Sequence, residues 1–312
     1  MEEALFYEKF TPLNSASGAP SPKAKVFNGV KNNSVRCRLC HHFCVIAPDK
    51  FGICQVRKNI GGILYSTNYG KIIASHLDPI EKKPLYRFLP GTLTYSIACA
   101  GCNFKCLHCQ NADISQIGDK LLKINDSLAE STPEEIIMAA EANGCPSVSY
   151  TYTEPTIFAE FALDCMKLAK DKGLKNIWVS NGYMSSECLS AIVPYLDAAN
   201  IDLKFFKDES YLKICGARLQ PVLDNLIWLK NHGVHLEVTT LIIPTINDGD
   251  EELKSIAEFI FKKLGADTAW HVSAFYPTYK LADLPPTPRE TIYRAQAIGK
   301  KAGLKYVYVG NV

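Results

Sequence analysis

From residue 92 onward the chain alternates short apolar runs with helical patterns, and this alternation limits the possible folds more than any other feature. Strand candidates fall at 93–97, 147–152, 176–180, 199–203, 235–242, 270–275 and 305–309. Most are rich in β-branched and aromatic residues, which suit a pleated, half-buried surface. Helical patterns fill the gaps at 133–142, 156–172, 185–196, 221–231, 250–264 and 288–302. The first has Thr132 to cap it, Pro133 at its first position and Gly144 just past its end. Strict alternation implies a parallel sheet with right-handed crossovers. Six or seven units predict an α/β fold that closes into a full or partial TIM-like barrel rather than a flat sheet, of which we take the partial (β/α)6 form, with ligand sites at the C-terminal ends of its strands.

Three regions follow. Residues 1–34 are expected to form an N-terminal segment and flexible loop, because 11–34 are rich in Pro, Ser, Ala, Gly, Asn and Lys. Residues 35–91 form a small preface domain with four cysteines, and 92–312 form the barrel. At 47% hydrophobic and 21% charged residues, the chain can build a sizeable core. A net charge of +2 makes no electrostatic case for nucleic acid or an anionic membrane as partner. The start lacks the basic and apolar pattern of a signal peptide, and no window approaches about 18 consecutive apolar residues. The expected location is cytoplasmic.

The chain has twelve cysteines, in clusters, and clustering at short spacing in such a chain points to metal. In GCNFKCLHCQN, Cys102, Cys106 and Cys109 directly follow the first strand of the series. They therefore lie on a loop at a strand's C-terminal end, where Gly101 permits a sharp turn. Thiolates hold iron–sulfur clusters, and a four-iron cube with three protein thiolates keeps one iron open. The alternative is a three-cysteine zinc site completed by His108, an awkward ligand because it adjoins Cys109. A second run, CRLCHHFCVIAPDKFGIC, places Cys37, Cys40, Cys44 and Cys54 at C-x2-C-x3-C-x9-C. Four thiolates suit a closed structural zinc or an auxiliary iron–sulfur cluster, and spacing leans only slightly to zinc. Cys99, Cys145, Cys165 and Cys188 read as packed thiols. Cys215 reads as packed too, or as a thiol at the barrel mouth able to give up a hydrogen atom.

CNFKCLHC resembles the signature of radical S-adenosylmethionine (SAM) enzymes. The resemblance implies a 4Fe-4S cluster on Cys102, Cys106 and Cys109 whose open iron is chelated by SAM. One electron then cleaves the sulfonium to a 5′-deoxyadenosyl radical that abstracts hydrogen from a substrate. TYTEPT, ending the second strand, resembles the family's Gly-Gly-Glu-Pro segment, with Glu154 matching the acceptor of the SAM ammonium and Tyr152 and Thr153 replacing the glycines. VSNGY matches a segment that approaches SAM through Ser180 and Asn181; IDLK matches an Asp–Lys pair beside the SAM carboxylate, here Asp202 and Lys204. His271 in WHVSAFYP matches a histidine near the SAM end, and His108 stands at an aromatic position near the adenine. Each has a plainer reading: a helix-start carboxylate for Glu154, an Asn-Gly turn at Asn181, a polar strand end at Asp202 and Lys204, a packed histidine at His271.

SHLDPIEKKPLYRFLPGT, the TEP variant and KYVYVGNV resemble, across 35–312, the radical SAM member of the AmmeMemoRadiSam system, a group similar to pyruvate formate-lyase activating enzymes. That resemblance implies Memo-like and AMMECR-like partner proteins and an electron donor such as flavodoxin or ferredoxin. Many members continue past GNV into a cysteine-bearing tail, so a zinc-ribbon-like tail is expected to be absent or removed. Two reactions are open: an activase that places a glycyl radical on a partner protein, or radical chemistry on a small molecule, peptide or nucleotide. The rival class is a non-catalytic iron–sulfur electron-transfer or scaffold protein.

Overall fold

The structure is a computed structural model that describes residues 1–10 and 32–312. The flexible loop expected within 11–34 lies largely outside the described residues. The N-terminal part contains short strands β1 (Glu2–Glu3), β2 (Tyr7–Lys9), β3 (Val35–Cys37), β4 (Val45–Ile46), β5 (Arg57–Ile60) and β6 (Ile63–Ser66). They form two small antiparallel sheets, β1-β6-β5 and β2-β3-β4. Residues 2–3 and 7–9 are thus strand-paired, which their acidic sequence did not announce.

The main sheet has eight strands in the order β14-β13-β12-β11-β10-β9-β8-β7. They are β7 (Ile72–Pro79), β8 (Leu93–Cys99), β9 (Ser147–Tyr150), β10 (Lys175–Ser180), β11 (Ala198–Asp202), β12 (His235–Ile242), β13 (Ala269–Ala274) and β14 (Val307–Gly310). Neighbours from β8 to β14 pair in parallel, seven strands where the sequence implied six or seven. β7 runs antiparallel to β8, from Ile72 opposite Cys99 to Pro79 opposite Leu93. β7 lies within the range expected for the preface, yet it pairs into the main sheet. The exposed, polar stretch within β7 hid its membership of the sheet.

The expected helices occur. Pro133–Ala142 opens with a capping box in which Thr132 Oγ1 accepts from Glu135 N and Glu135 accepts from Thr132 N. Ala159–Asp171, Leu219–Asn231, Asp250–Phe259 and Arg289–Lys301 follow, with the shorter Ser186–Ile192 between. Helix and sheet meet closely at Gly299, where a Cβ would come 2.9 Å from the Trp270 ring. Trp270 itself is fully buried and donates Nε1–H to Thr240 Oγ1 at 2.9 Å. No helix among the described residues is long and apolar enough to cross a membrane.

The N-terminal end of the barrel is plugged by residues 80–91. Ile80 and Leu85 are buried against Ile177 and Ala198. The Tyr86 and Arg87 N–H groups donate to Glu237, and Asn200 Nδ2 donates to Pro84 O at 2.8 Å. This plug is the floor of the cavity that opens above it.

Candidate active site

β8 ends at Cys99 and the chain turns at Gly101, φ +103°, where an added Cβ would lie 3.2 Å from Cys54 O and 3.1 Å from Ile157 Cδ1. Only glycine suits that position. The 102–109 loop is then pinned from behind: Lys105 N donates to Cys215 O and Leu107 N to Ile214 O. Phe104 N donates to Cys102 Sγ at 3.3 Å.

Cys102, Cys106 and Cys109 face a cavity of about 570 Å³ at the C-terminal ends of the strands. The structure brings His108, Glu154, Ser180, Asn181, Asp202 and Lys204 into the same wall. The three sulfurs are not all within 4.8 Å of one another. A tighter trio does exist, in which Cys106, His108 and Cys215 place one ring nitrogen and two sulfurs within 4.8 Å.

Glu154 is 1% exposed and accepts four hydrogen bonds: from Thr156 N at 3.0 Å, from the Thr156 hydroxyl, from Ser180 Oγ at 2.7 Å and from Asn181 N at 2.8 Å. All four donors are neutral. Burial pushes its pKa up, and those hydrogen bonds only partly oppose the shift. A negative charge so held favours a cationic ligand group. The strand leading to it ends at Tyr150, earlier than expected, because Tyr152 takes φ +62°, a left-handed conformation that glycine adopts without strain.

Across the cavity Lys204 Nζ bonds Asp202 Oδ2 at 2.7 Å. Burial works against the ammonium, but Asp202 and the nearby Cys106 and Cys215 thiols hold its pKa well above the usual lysine value. Asn181 Nδ2 donates to Asn103 Oδ1 at 2.7 Å and lies 3.9 Å from Cys102 Sγ. His108 is buried, its pKa is lowered to about 3 by burial and then by Lys204, and its Nδ1 has no partner among the described residues. A neutral imidazole with a vacant nitrogen in a cavity wall can meet a polar edge of a ligand.

His271 and Cys215 both lie off the lining of this cavity, Cys215 as the packed thiol that was one of its two readings. His271 does not line this cavity; it lies deeper in the barrel, its Nε2 2.6 Å from Glu237 Oε2, with the Tyr86 ring edge-on at 4.8 Å. It shares a strand face with Ser273, which does reach the cavity, but sits two residues nearer the floor. Cys215 is not at the barrel mouth either. It is buried beside Cys106, with which it shares a hydrogen bond, and the turn that ends at Gly216 holds it there.

Sequence reasoning missed a further cluster. The Tyr152 hydroxyl donates to Asp78, which also accepts from Lys82 Nζ at 2.8 Å and Lys83 Nζ at 2.5 Å. The Lys83 ammonium lies 4.4 Å from the Tyr152 ring centroid. Lys82 and Lys83 reach the cavity from below. The only sequence signal was the DPIEKKP run before the barrel.

The second cysteine set also converges. Cys37, Cys40, Cys44 and Cys54 line one small void with Arg57, His42 and Asn103. Burial pushes the Cys37 thiol up to about 12 and raises Cys40 well above its ordinary value.

The sequence model of the Radical SAM superfamily matches residues 96–260, more than half of the chain. An uncharacterized protein of Methanocaldococcus jannaschii is 43% identical over 312 residues, covering 100% of this chain and 86% of its own length. Pyruvate formate-lyase 1-activating enzyme of Escherichia coli (strain K12) is 24% identical over 224 residues, 67% of this chain and 89% of the enzyme. The crystal structure of a radical SAM methyltransferase from Sphaerobacter thermophilus shares the fold, with a TM-score of 0.53 at 14% identity over 71% of this chain and 67% of that one.

Proposed function

Because the chain belongs to the radical SAM superfamily, we propose that Cys102, Cys106 and Cys109 carry the family's 4Fe-4S cluster and that the cavity beside them binds SAM. When bound, the cluster supplies the electron that splits SAM into methionine and a 5′-deoxyadenosyl radical, the agent for hydrogen abstraction. The observation that carries this reading is the meeting, in one cavity, of three spread thiols and a buried glutamate with only neutral donors.

The protein's own residues bind and orient. Glu154 receives the ammonium of SAM, its carboxylate held in place by Ser180, Asn181 and Thr156. Lys204, kept charged by Asp202, faces the SAM carboxylate. His108 offers its vacant nitrogen to the adenine side. The plug of residues 80–91 closes the far end and keeps water from the radical. His271 serves the floor and leaves SAM to the rim. In domain terms, residues 1–10 and 32–66 form the four-cysteine preface and the barrel begins at β7.

For the reaction, an activase-like role is favoured: the relatives include pyruvate formate-lyase activating enzymes and a putative glycyl-radical enzyme activating enzyme of Methanocaldococcus jannaschii. The target is then a peptide loop of a partner protein, consistent with membership of the AmmeMemoRadiSam system and its Memo-like and AMMECR-like proteins, with flavodoxin or ferredoxin as donor. Radical chemistry on a small molecule or nucleotide is the other outcome.

The test is anaerobic reconstitution with iron and sulfide, then reduction by dithionite with SAM present. Wild type forms 5′-deoxyadenosine, and Cys106→Ala forms none above background. A second reading rests on the compact trio of Cys106, His108 and Cys215, which suits a single zinc ion. It requires zinc to stay bound in a Cys102→Ala/Cys109→Ala variant and to be lost in Cys215→Ser.

A further inference from the structure

The cavity beside the three thiols carries more cationic groups than SAM uses. Its charged lining consists of Glu154, Asp202, Lys204, Lys82 and Lys83. The first three serve SAM in the proposed function. Lys82 and Lys83 are left over, and both come from the plug rather than from a strand end. We propose that this lysine pair is the substrate's anion subsite. It receives a compact oxyanion, a carboxylate or a phosphate, on the molecule from which hydrogen is taken. The inference rests on SAM occupying the rim and goes further by giving the substrate a chemical class.

Asp78 anchors the pair. Its carboxylate accepts from Lys82 Nζ at 2.8 Å, from Lys83 Nζ at 2.5 Å and from the Tyr152 hydroxyl. Burial acts to raise its pKa, but the hydrogen bonds from both lysines and Tyr152 hold it well below the usual carboxylate range. Two ammonium groups therefore share one carboxylate, and the cluster keeps an unmatched positive charge. Lys83 is the buried half, its side chain 2% exposed. An ammonium has three N–H donors. One of them reaches Asp78, the only hydrogen-bond acceptor that Lys83 Nζ finds among the described residues, and the Tyr152 ring covers another side at 4.4 Å. A buried cation with a donor to spare in a cavity wall favours an anion beside it. Lys82, 63% exposed along its side chain, extends the subsite toward solvent.

Nothing else in the wall competes for this role. Asp202 is committed to Lys204, and the lining from β12 and β13, Thr239, Leu241 and Ser273, is uncharged. Tyr152 fixes where the subsite lies relative to the chemistry. Its backbone carbonyl accepts from Asn111 Nδ2 at 2.6 Å, two residues past Cys109, and Glu154 follows two residues later. Its side chain runs down to Asp78 and Lys83. An oxyanion on the lysines is thus one tyrosine side chain away from the rim, in the same cavity as the three thiols.

The test is calorimetric titration of the full, anaerobically reconstituted chain at fixed ionic strength, with and without saturating SAM. The probes are inorganic phosphate, succinate and a short blocked peptide carrying one aspartate, with the asparagine peptide as the uncharged control. At least one anionic probe is expected to bind saturably, as tightly with SAM as without it, while the asparagine peptide does not bind. Lys83→Met should weaken that probe about 10-fold or more, the worth of a hydrogen bond to a charged group. Lys82→Gln should weaken it about threefold, as suits an exposed charge. Phosphate or succinate binding ahead of the aspartate peptide assigns the oxyanion to a small molecule, and the peptide ahead of both assigns it to an acidic side chain of a partner protein. The proposal is overturned if no anionic probe binds, if SAM displaces the probe, or if the lysine variants bind it as wild type does. Lys82 is exposed, so Lys82→Gln decides alone should Lys83→Met not fold. If the probe binds and depends on the lysines but the protein neither binds nor cleaves SAM, the subsite stands and the reading of the rim fails instead.

Discussion

Two glutamates are buried inside the barrel, one near each end, and each accepts four hydrogen bonds. Glu154 at the rim takes all four from neutral groups on Thr156, Ser180 and Asn181. Glu237 near the floor takes two from imidazoles, His235 at 3.0 Å and His271 at 2.6 Å, and two from the Tyr86 and Arg87 N–H groups. Their pKa values move in opposite directions. Burial raises Glu154. Burial also acts to raise Glu237, but the His235 and His271 hydrogen bonds outweigh it and bring the group down to about 2. Equal numbers of hydrogen bonds therefore do different things. The floor glutamate is matched by its imidazole partners, while the rim glutamate is met only by neutral donors, an environment that suits a cation.

The strongest way to break this contrast is Glu237→Gln. It leaves the buried His271, the half-buried His235 and the plug without their anion and should lower stability by about 3–5 kcal/mol, read from the denaturant midpoint. SAM binding by the folded fraction should stay within about twofold. The pH dependence has a definite sign. Glu237 has a lowered folded pKa, so its contribution is present above the carboxylate's unfolded value of 4.5 and is lost as pH falls toward about 2. The variant should lose that part of the acid limb. An acid transition identical to wild type would show that the floor glutamate is not engaged by its histidines.

Glu154→Gln should do the reverse. Removing the counter-charge should weaken SAM binding roughly 10- to 100-fold, the value of a hydrogen bond to a charged group, with stability unchanged or slightly higher. Since the folded pKa of Glu154 is raised, its contribution to stability is full below 4.5 and declines as pH rises through the shifted value. The wild-type protein without ligand should therefore lose stability there and Glu154→Gln should not. Calorimetric titration with SAM beside a pH series of melting curves checks both. If the variant binds SAM as wild type does, the rim glutamate is not the ammonium's partner.

How much of this was readable in the sequence differs between the same two ends. The rim was legible because its residues sit in short local runs directly after strands: C-x3-C-x2-C after β8, TEP after β9, SNG after β10 and DLK after β11. A parallel sheet brings the ends of successive strands together, so local motifs become one cavity without long-range guesswork. The floor was not legible. Glu237 meets Tyr86 and Arg87 across about 150 residues, and His271 meets Glu237 from a different strand. Nothing in either local sequence signals a partner, and His271 was accordingly assigned to the wrong end. β7 escaped for a related reason: its exposed stretch lacks a clean alternation, so only pairing with β8 makes it a strand.

Tyr152 ties the two ends together and gives the smallest, most discriminating test. Its backbone belongs to the rim, next to Glu154, in a left-handed conformation at φ +62°. Its hydroxyl reaches Asp78 of β7, level in the sheet with Thr94 near the floor, and its ring lies against Lys83 and His76. Tyr152→Phe keeps the ring and removes one donor from an aspartate that retains two lysines, so it should cost about 0.5–1.5 kcal/mol. Tyr152→Gly removes the strain of the positive φ, worth about 1 kcal/mol, but also loses the ring against the Lys83 ammonium. If the side chain is the anchor between rim and floor, glycine should be less stable than phenylalanine and should bind SAM more weakly. A glycine variant more stable than the phenylalanine variant, with SAM affinity kept, would mean that the conformation matters here and the ring does not; rim and floor would then be independent parts.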